Sequence, residues 1–510
     1  MPTKRRSAVA MPVVLAALVA GCAVGPDFVP SPAPEVGRYT PEPLASQTSS
    51  ADVDKGRSQH FANGKDIPAE WWRLFRSPPL NSLINKALAA NPNLQAALAA
   101  LRVARENVYA QQGKYFPTIQ ANFNPSRQQT ASNLSSPLSS GDNLFNLYTA
   151  QVLVSYTLDT WGLNRRTVES LQAQADTQRF QAEAAFLTLT SNVVVAAIQE
   201  ASLRGQIEAT NKLIDINSKM LEVLRRQFME GYANRSDVAA QEAALAQIRV
   251  TLPPLRKALA QQRDLLAALA GRFPSEEPPE IFKLTAIRLP GEVPVSLPSG
   301  LVQQRPDVRA AEEQLHAASA QIGVATANML PQFTINGARG YTATDFAALW
   351  TPSGLFWTAA ANATQPLFDG FTLLHQKRAA EAAYDQAAQQ YRATVLGAFQ
   401  NVADALRAIQ NDADAVKAAS DFERAAKISL DLATQQMQSG NANVLLLLTA
   451  QQTYQQAVIG LVLAQANRLS DTAALFQALG GGWWNRVDVP PDTGKNALTT
   501  LTGEAARKPD

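Results

Sequence analysis

A chain of 510 residues that is 46% hydrophobic and 17% charged can bury a large core and is too apolar for intrinsic disorder. Its 45 Lys and Arg against 43 Asp and Glu leave a formal charge of +2, which excludes the basic footprint of a nucleic-acid binder. Cys22 is the only cysteine, so an internal disulfide and any CxxC metal or redox pair are excluded as well.

Residues 1–21 start with Lys4, Arg5 and Arg6 and continue in an apolar run from Ala8 to Ala20, the layout of a secretory signal and too short to span a bilayer permanently. Leu18-Val19-Ala20-Gly21-Cys22 resembles the bacterial lipobox. That resemblance implies an S-diacylglycerol and an N-palmitoyl chain on Cys22 after cleavage, several acyl chains being what stable anchoring needs. The alternative is an unmodified cysteine behind an ordinary signal peptide. Ala23, where an Asp would retain a lipoprotein at the inner membrane, fits sorting to the outer membrane. Residues 22–79 then read as an irregular, lipid-tethered N-terminal segment.

Two halves follow. Asn91-Pro92-Asn93-Leu94-Gln95-Ala96-Ala97 aligns with Arg305-Pro306-Asp307-Val308-Arg309-Ala310-Ala311, and the register holds without a gap to Pro117 and Pro331. Gly231-Tyr232-Ala233-Asn234 aligns with Gly440-Asn441-Ala442-Asn443, and Gly271 with Gly480. The duplicated units are 80–271 and 300–480, joined by a proline-rich linker at 272–299 and followed by an irregular tail at 481–510. Each unit predicts a helix (80–115; 300–329), a hairpin, a very long helix, a turn at Gly231 or Gly440, and a last helix.

In the hairpins Thr118–Asn124 and Tyr148–Leu158 alternate polar and apolar residues, as do the segments around Phe333 and Ile335 and around Trp357, Ala359, Ala361 and Ala363. A period of two gives one wet face and one apolar face. Strands of about 12 residues, tilted by roughly 40°, stand about 30 Å tall and match the ~25 Å apolar band of a membrane barrel. Four strands close no barrel, and an open edge in hydrocarbon strands its amides, so at least two chains must contribute. A soluble hairpin on a protein core is the other reading of the alternation.

The long helices, Gly162–Met229 and Phe371–Gln438, contain no proline and are dense in Ala, Gln, Leu and Glu. About 68 residues make a rod of ~100 Å, far longer than a bilayer is thick, with a surface too polar for lipid. Alanine-rich faces let such rods approach closely as a sheath. A coiled-coil scaffold without a pore has the same helices.

Several motifs in one order carry a family resemblance: Gly21-Cys22-Ala23-Val24-Gly25-Pro26-Asp27-Phe28, Trp71-Trp72-Arg73-Leu74-Phe75, Tyr156-Thr157-Leu158-Asp159-Thr160-Trp161-Gly162, Arg305-Pro306-Asp307-Val308-Arg309-Ala310-Ala311-Glu312 and Pro366-Leu367-Phe368-Asp369-Gly370. With these, residues 22–484 resemble the TolC-like outer-membrane factors, in particular the NodT-type lipoproteins. The resemblance implies a mainly α chain with a membrane β-barrel: a homotrimer of twelve strands in the outer membrane and twelve helices in a periplasmic tunnel. It implies an equatorial layer from 22–79 and 481–510, a periplasmic adaptor (membrane fusion protein) and an inner-membrane RND-type transporter as partners, and passive export of drugs or other small amphiphiles. It makes Gly231 and Gly440 the tips that meet the adaptor and places the gate just after them. Family members often carry acids there; here Leu446 and Thr449 stand in those positions, so Leu445 or Leu446 is expected to form an apolar constriction. Asp237 is the remaining acidic gate candidate, and with Asn234 it also reads as a helix-capping pair.

No enzyme is expected and no cofactor or metal. His60, His316 and His375 are far apart in sequence and read as surface side chains, the pairs Glu276-Glu277 and Glu312-Glu313 as solvated faces, and GxSxG, HExxH and GxGxxG are absent. The exit duct of a type I protein secretion system shares the fold and is the alternative transport function, and a pore-free periplasmic scaffold is the alternative outside transport.

Overall fold

The computed structural model describes residues 23–131, 133–134, 140–439 and 443–487; the signal segment 1–21, Cys22, Gly440 and the tail from 488 lie outside them. In chain order the elements are β1 (His60–Asn63), α1 (Pro78–Ala90), α2 (Pro92–Gln112), β2 (Thr118–Gln129), β3 (Leu144–Leu158), α3 (Leu163–Met229), α4 (Arg235–Leu269), β4 (Glu292–Val295), α5 (Pro298–Gln304), α6 (Pro306–Ala327), β5 (Gln332–Ala343), β6 (Leu355–Thr364), α7 (Thr372–Gln438) and α8 (Val444–Ala478). Duplication shows in the lengths: α3 and α7 have 67 residues each, α4 and α8 have 35 each.

The sequence reading of one continuous first helix per half needs correction. Pro92 and Pro306 force Asn91 and Arg305 into extended backbone (φ −66°, ψ 121° and φ −86°, ψ 123°), so each helix is broken in two and a proline begins the second piece. The break is used identically in both halves. Asn91 accepts from the Asn93 and Leu94 amides and donates to the Leu269 carbonyl at 3.0 Å; Arg305 donates to the equivalent carbonyl of Ala478 at 2.9 Å. Each half's last helix is thereby pinned to its first.

Two compact units result. Among the described residues one comprises those within 23–32, 98–180 and 310–393, the other those within 33–97, 181–309 and 394–487, so each half of the sequence contributes to both. The first unit holds an antiparallel sheet in the order β2-β3-β5-β6, the hairpins joining where β3 pairs with β5. The second unit is helical, with β1 and β4 paired in parallel. There Trp71, Trp72 and Phe75 are fully buried, Trp71 lying 5.4 Å from Phe476 and Trp72 6.2 Å from Phe186. A second cluster, including Leu224, Val238, Leu245, Leu430 and Leu447, closes the packing of α3, α4, α7 and α8 near their turns.

Candidate functional site

The register of the sheet sorts its side chains. Ile119, Ala121 and Phe123 of β2 share a face with Ala150, Val152 and Val154 of β3, Ile335 of β5, and Leu355, Trp357, Ala359 and Ala361 of β6. On the other face lie Gln120, Asn122, Asn124, Thr149, Gln151, Ser155, Thr334, Asn336, Thr358 and Asn362, interrupted by Leu153 and Phe356. Polar cross-strand pairs brace that face: Ser155 donates to Asn336 at 2.8 Å, and Thr149 and Thr342 are 3.2 Å apart. The apolar face is bare, with Ile119 and Trp357 about as exposed as surface lysines would be, at 69% and 74%. β2 and β6 are paired on one side only.

The strands meet the helices through caps that the duplication repeats. Asp159 accepts from the amides of Asn164 and Arg165, and Asp369 from that of Leu373 at 2.8 Å, so both long helices start on an aspartate. The Trp161 indole donates to the Pro331 carbonyl at 2.7 Å and ties the two hairpins at their helix end.

Against that end lies the N-terminal segment. The Val24 amide donates to the Trp161 carbonyl at 3.0 Å. The nearly buried Arg166 guanidinium donates to the carbonyls of Val24 and Gly25, to Asp27 at 2.7 Å and to Glu169 at 2.8 Å. Gly25 and Gly323 approach so closely that a Cβ on either would strike backbone, which explains the glycine in the Gly25-Pro26-Asp27-Phe28 motif. Phe28 stacks on His316 at 4.4 Å, and His316 sits 3.2 Å from both Glu169 and Glu313. His316 is therefore part of a clasp and not the free surface residue its sequence context suggests. Burial disfavours its charge, but the two carboxylates more than offset this and lift its pKa to about 9. Likewise Glu312 and Glu313 form no solvated face, Glu312 being buried and Glu313 paired with His316, whereas Glu276 and Glu277 are exposed, Glu277 pairing with Arg263 at 2.7 Å. Cys22 lies outside the described residues, but its neighbours Ala23 and Val24 are fixed at the base of the sheet.

At the turn between α3 and α4, Gly231 ends α3 with left-handed backbone (φ +85°), and Met229 and Tyr232 beside it are exposed. Asn234 and Asp237 form a reciprocal capping box on α4, the Asn234 amide donating to Asp237 at 3.1 Å. Leu445 and Leu446 are exposed in the first turn of α8, and the Thr449 hydroxyl is turned back onto the Leu445 carbonyl. Gly440 falls outside the described residues.

One cluster escaped the sequence reading. Arg468 of α8, fully buried, donates to Thr48, Gln59 and the carbonyls of Lys55 and Arg57, holding the N-terminal loop against the helix. Beside it Asp412 of α7 is pushed up to about 7, first by burial and then by its hydrogen bond with Asp471, with Arg468 acting in the opposite direction. The folded value lies above the unfolded one. This contribution to stability is therefore full below about pH 4 and is lost as pH rises through about 7. Wild-type protein should accordingly melt lower at pH 8 than at pH 6, and Asp412→Asn should flatten the difference; an unchanged pH slope in scanning fluorimetry would count against the pair.

Among the described residues no group of three or more His, Cys, Asp or Glu could hold a metal. What the residues define is an amphipathic sheet with unpaired edges in one unit and a duplicated set of helices in the other, the elements of an outer-membrane channel subunit. The chain belongs to the outer membrane efflux protein family, whose model matches residues 83–272 and 297–481. It is 30% identical over 483 residues to the probable efflux pump outer membrane protein TtgC of Pseudomonas putida, covering 93% of this chain and 95% of that one. It is 28% identical over 416 residues to the pyoverdine export outer membrane protein OpmQ of the same species, covering 81% and 88%. Its fold matches the open state of the Neisseria gonorrhoeae MtrE outer membrane channel with a TM-score of 0.77 at 26% identity, over 92% of this chain and all of that one. The protein is thus an outer-membrane channel component of an efflux system, in a family of ducts and not of enzymes.

Proposed function

We propose that three copies of this chain close a twelve-stranded barrel, continued by a twelve-helix tunnel, and passively conduct small amphiphiles, drugs among them, out of the cell. A periplasmic adaptor and an inner-membrane RND-type transporter deliver the cargo and supply the energy. The observation that carries this is the two-faced sheet: its apolar face suits lipid, its polar face suits a water-filled lumen, and its edge strands need partners that one chain cannot supply. Leu367, Phe368 and Phe371 add support, being exposed at the base of the second hairpin where the first hairpin's base is covered by Ala23–Asp27. A second copy can cover them. Relatives named for pyoverdine export and for an efflux pump support a small organic cargo.

Cys22 carries the diacylglycerol and N-palmitoyl chains in this reading, and the clasp around Arg166 supports it by holding the adjoining residues at the level where lipid begins. Leu445 and Leu446, flanked by Thr449 and Asp237, form the gate, and the turns at Gly231 and Gly440 meet the adaptor. Purified protein should have the mass of a trimer, conduct in planar bilayers, and show an acyl mass increment that Cys22→Ser abolishes. A monomer without conductance would defeat the channel reading; an unacylated Cys22 would defeat the anchor alone.

A further inference from the structure

Arg339 interrupts the apolar face of the sheet. It stands on β5 in register with Val152 of β3 and Trp357 of β6, shares their face, and is exposed. The sheet offers nothing to neutralise it: β2, β3, β5 and β6 contain no Asp and no Glu. A cylinder closed from copies of this sheet contains none either, and among the described residues no carboxylate pairs with Arg339. The penalty for holding a guanidinium in hydrocarbon grows with depth.

Beside it lies a cavity of about 490 Å³, lined by Phe123, Val152, Arg339, Tyr341 and Trp350. Tyr341 and Trp350 meet edge to face at 5.5 Å, and Phe346 packs on Tyr148 at 5.6 Å. These rings gather toward the strand ends that carry the 344–354 connection, the ends opposite the helices, and so mark the outer-leaflet interface. Tyr341 is one pleat repeat, about 7 Å, beyond Arg339, a span an arginine covers by extending along the face.

From this arrangement we infer that Arg339, with Tyr341 and Trp350, binds the phosphate of a phosphorylated outer-leaflet lipid whose acyl chains lie on the apolar walls. A planar guanidinium fork matches phosphate in two hydrogen bonds, and the apolar lining has no use for a free anion. The inference rests on the reading of this face as lipid-facing.

Native mass spectrometry of the purified full-length oligomer with diphosphoryl lipid A, dephosphorylated lipid A and inorganic phosphate tests it. Wild type should retain diphosphoryl lipid A on the order of tenfold more tightly than Arg339→Gln, and severalfold more tightly than Trp350→Ala. Arg339→Lys should retain part of the binding, and dephosphorylated lipid A should bind no better than to Arg339→Gln. Equal retention by wild type and Trp350→Ala, where folding is least at risk, would overturn the site, as would displacement of the lipid by millimolar phosphate. A conducting trimer that shows no preference for phosphate sinks this inference alone; absence of a conducting oligomer sinks the membrane reading beneath it.

Discussion

Replacing Leu445 and Leu446 by alanine should raise the open probability of the reconstituted channel by on the order of tenfold or more. Both leucines are exposed on the first turn of α8, with Val444 and Leu447 turned into the core behind them, so within one chain they contact little. Three copies would bring six leucines together at one level. Burying a leucine is worth about 1.5–3 kcal/mol, and a dry constriction also bars water and ions, so truncating the ring removes several kcal/mol of closure. Single-channel recordings read this directly. Asp237 offers a built-in contrast: its carboxylate is engaged by the Asn234 amide, and Asp237→Asn should cost helix-cap stability while leaving closure largely intact. Leucine variants that open no more often than wild type would remove the apolar gate.

Gly340→Val should abolish assembly. The two hairpins are joined where β3 pairs with β5, and at Gly340 the strands approach so closely that a Cβ would strike the Ala150 carbonyl and stand 2.6 Å from the Gln151 Cβ. A branched side chain there leaves two separate hairpins whose inner edges have lost their backbone partners, a state that cannot persist in lipid. The expected result is no heat-resistant oligomer on gels and no protein in the outer-membrane fraction. Normal oligomer from this variant would mean the central pairing is dispensable.

Both faces of the sheet were legible in the sequence because a strand's period of two writes burial directly onto residue order, and Thr334, Asn336, Ile335 and Ala361 fall where their alternation puts them. The duplication was legible for a similar reason: Asn91 and Arg305 do the same task, and the prolines after them hold the register. Misreading the first helix as continuous came from running it through Pro92 and Pro306, residues that cannot sit in a helix interior and instead begin a new helix. Contacts between distant segments left no local trace. The Gly25-Pro26-Asp27-Phe28 motif was visible, but its task, fitting Gly25 against Gly323 and Asp27 onto Arg166, depends on chain segments far apart in sequence. Arg468 and Asp412 carry no signal in the sequence, since nothing in their neighbours indicates that residues 48–59 cover one of them or that Asp471 faces the other.

The claim on which the channel reading depends is that one face of the sheet touches lipid and the other water. Single cysteines in a Cys22→Ser background, labelled with a fluorophore at 149 through 154 and at 358 through 363 in the reconstituted oligomer, test it. Quenching by brominated lipid should peak at 150, 152, 154, 359, 361 and 363, and quenching by aqueous iodide at 149, 151, 153, 358, 360 and 362. Equal access of iodide to both sets would place the sheet in water and contradict the account.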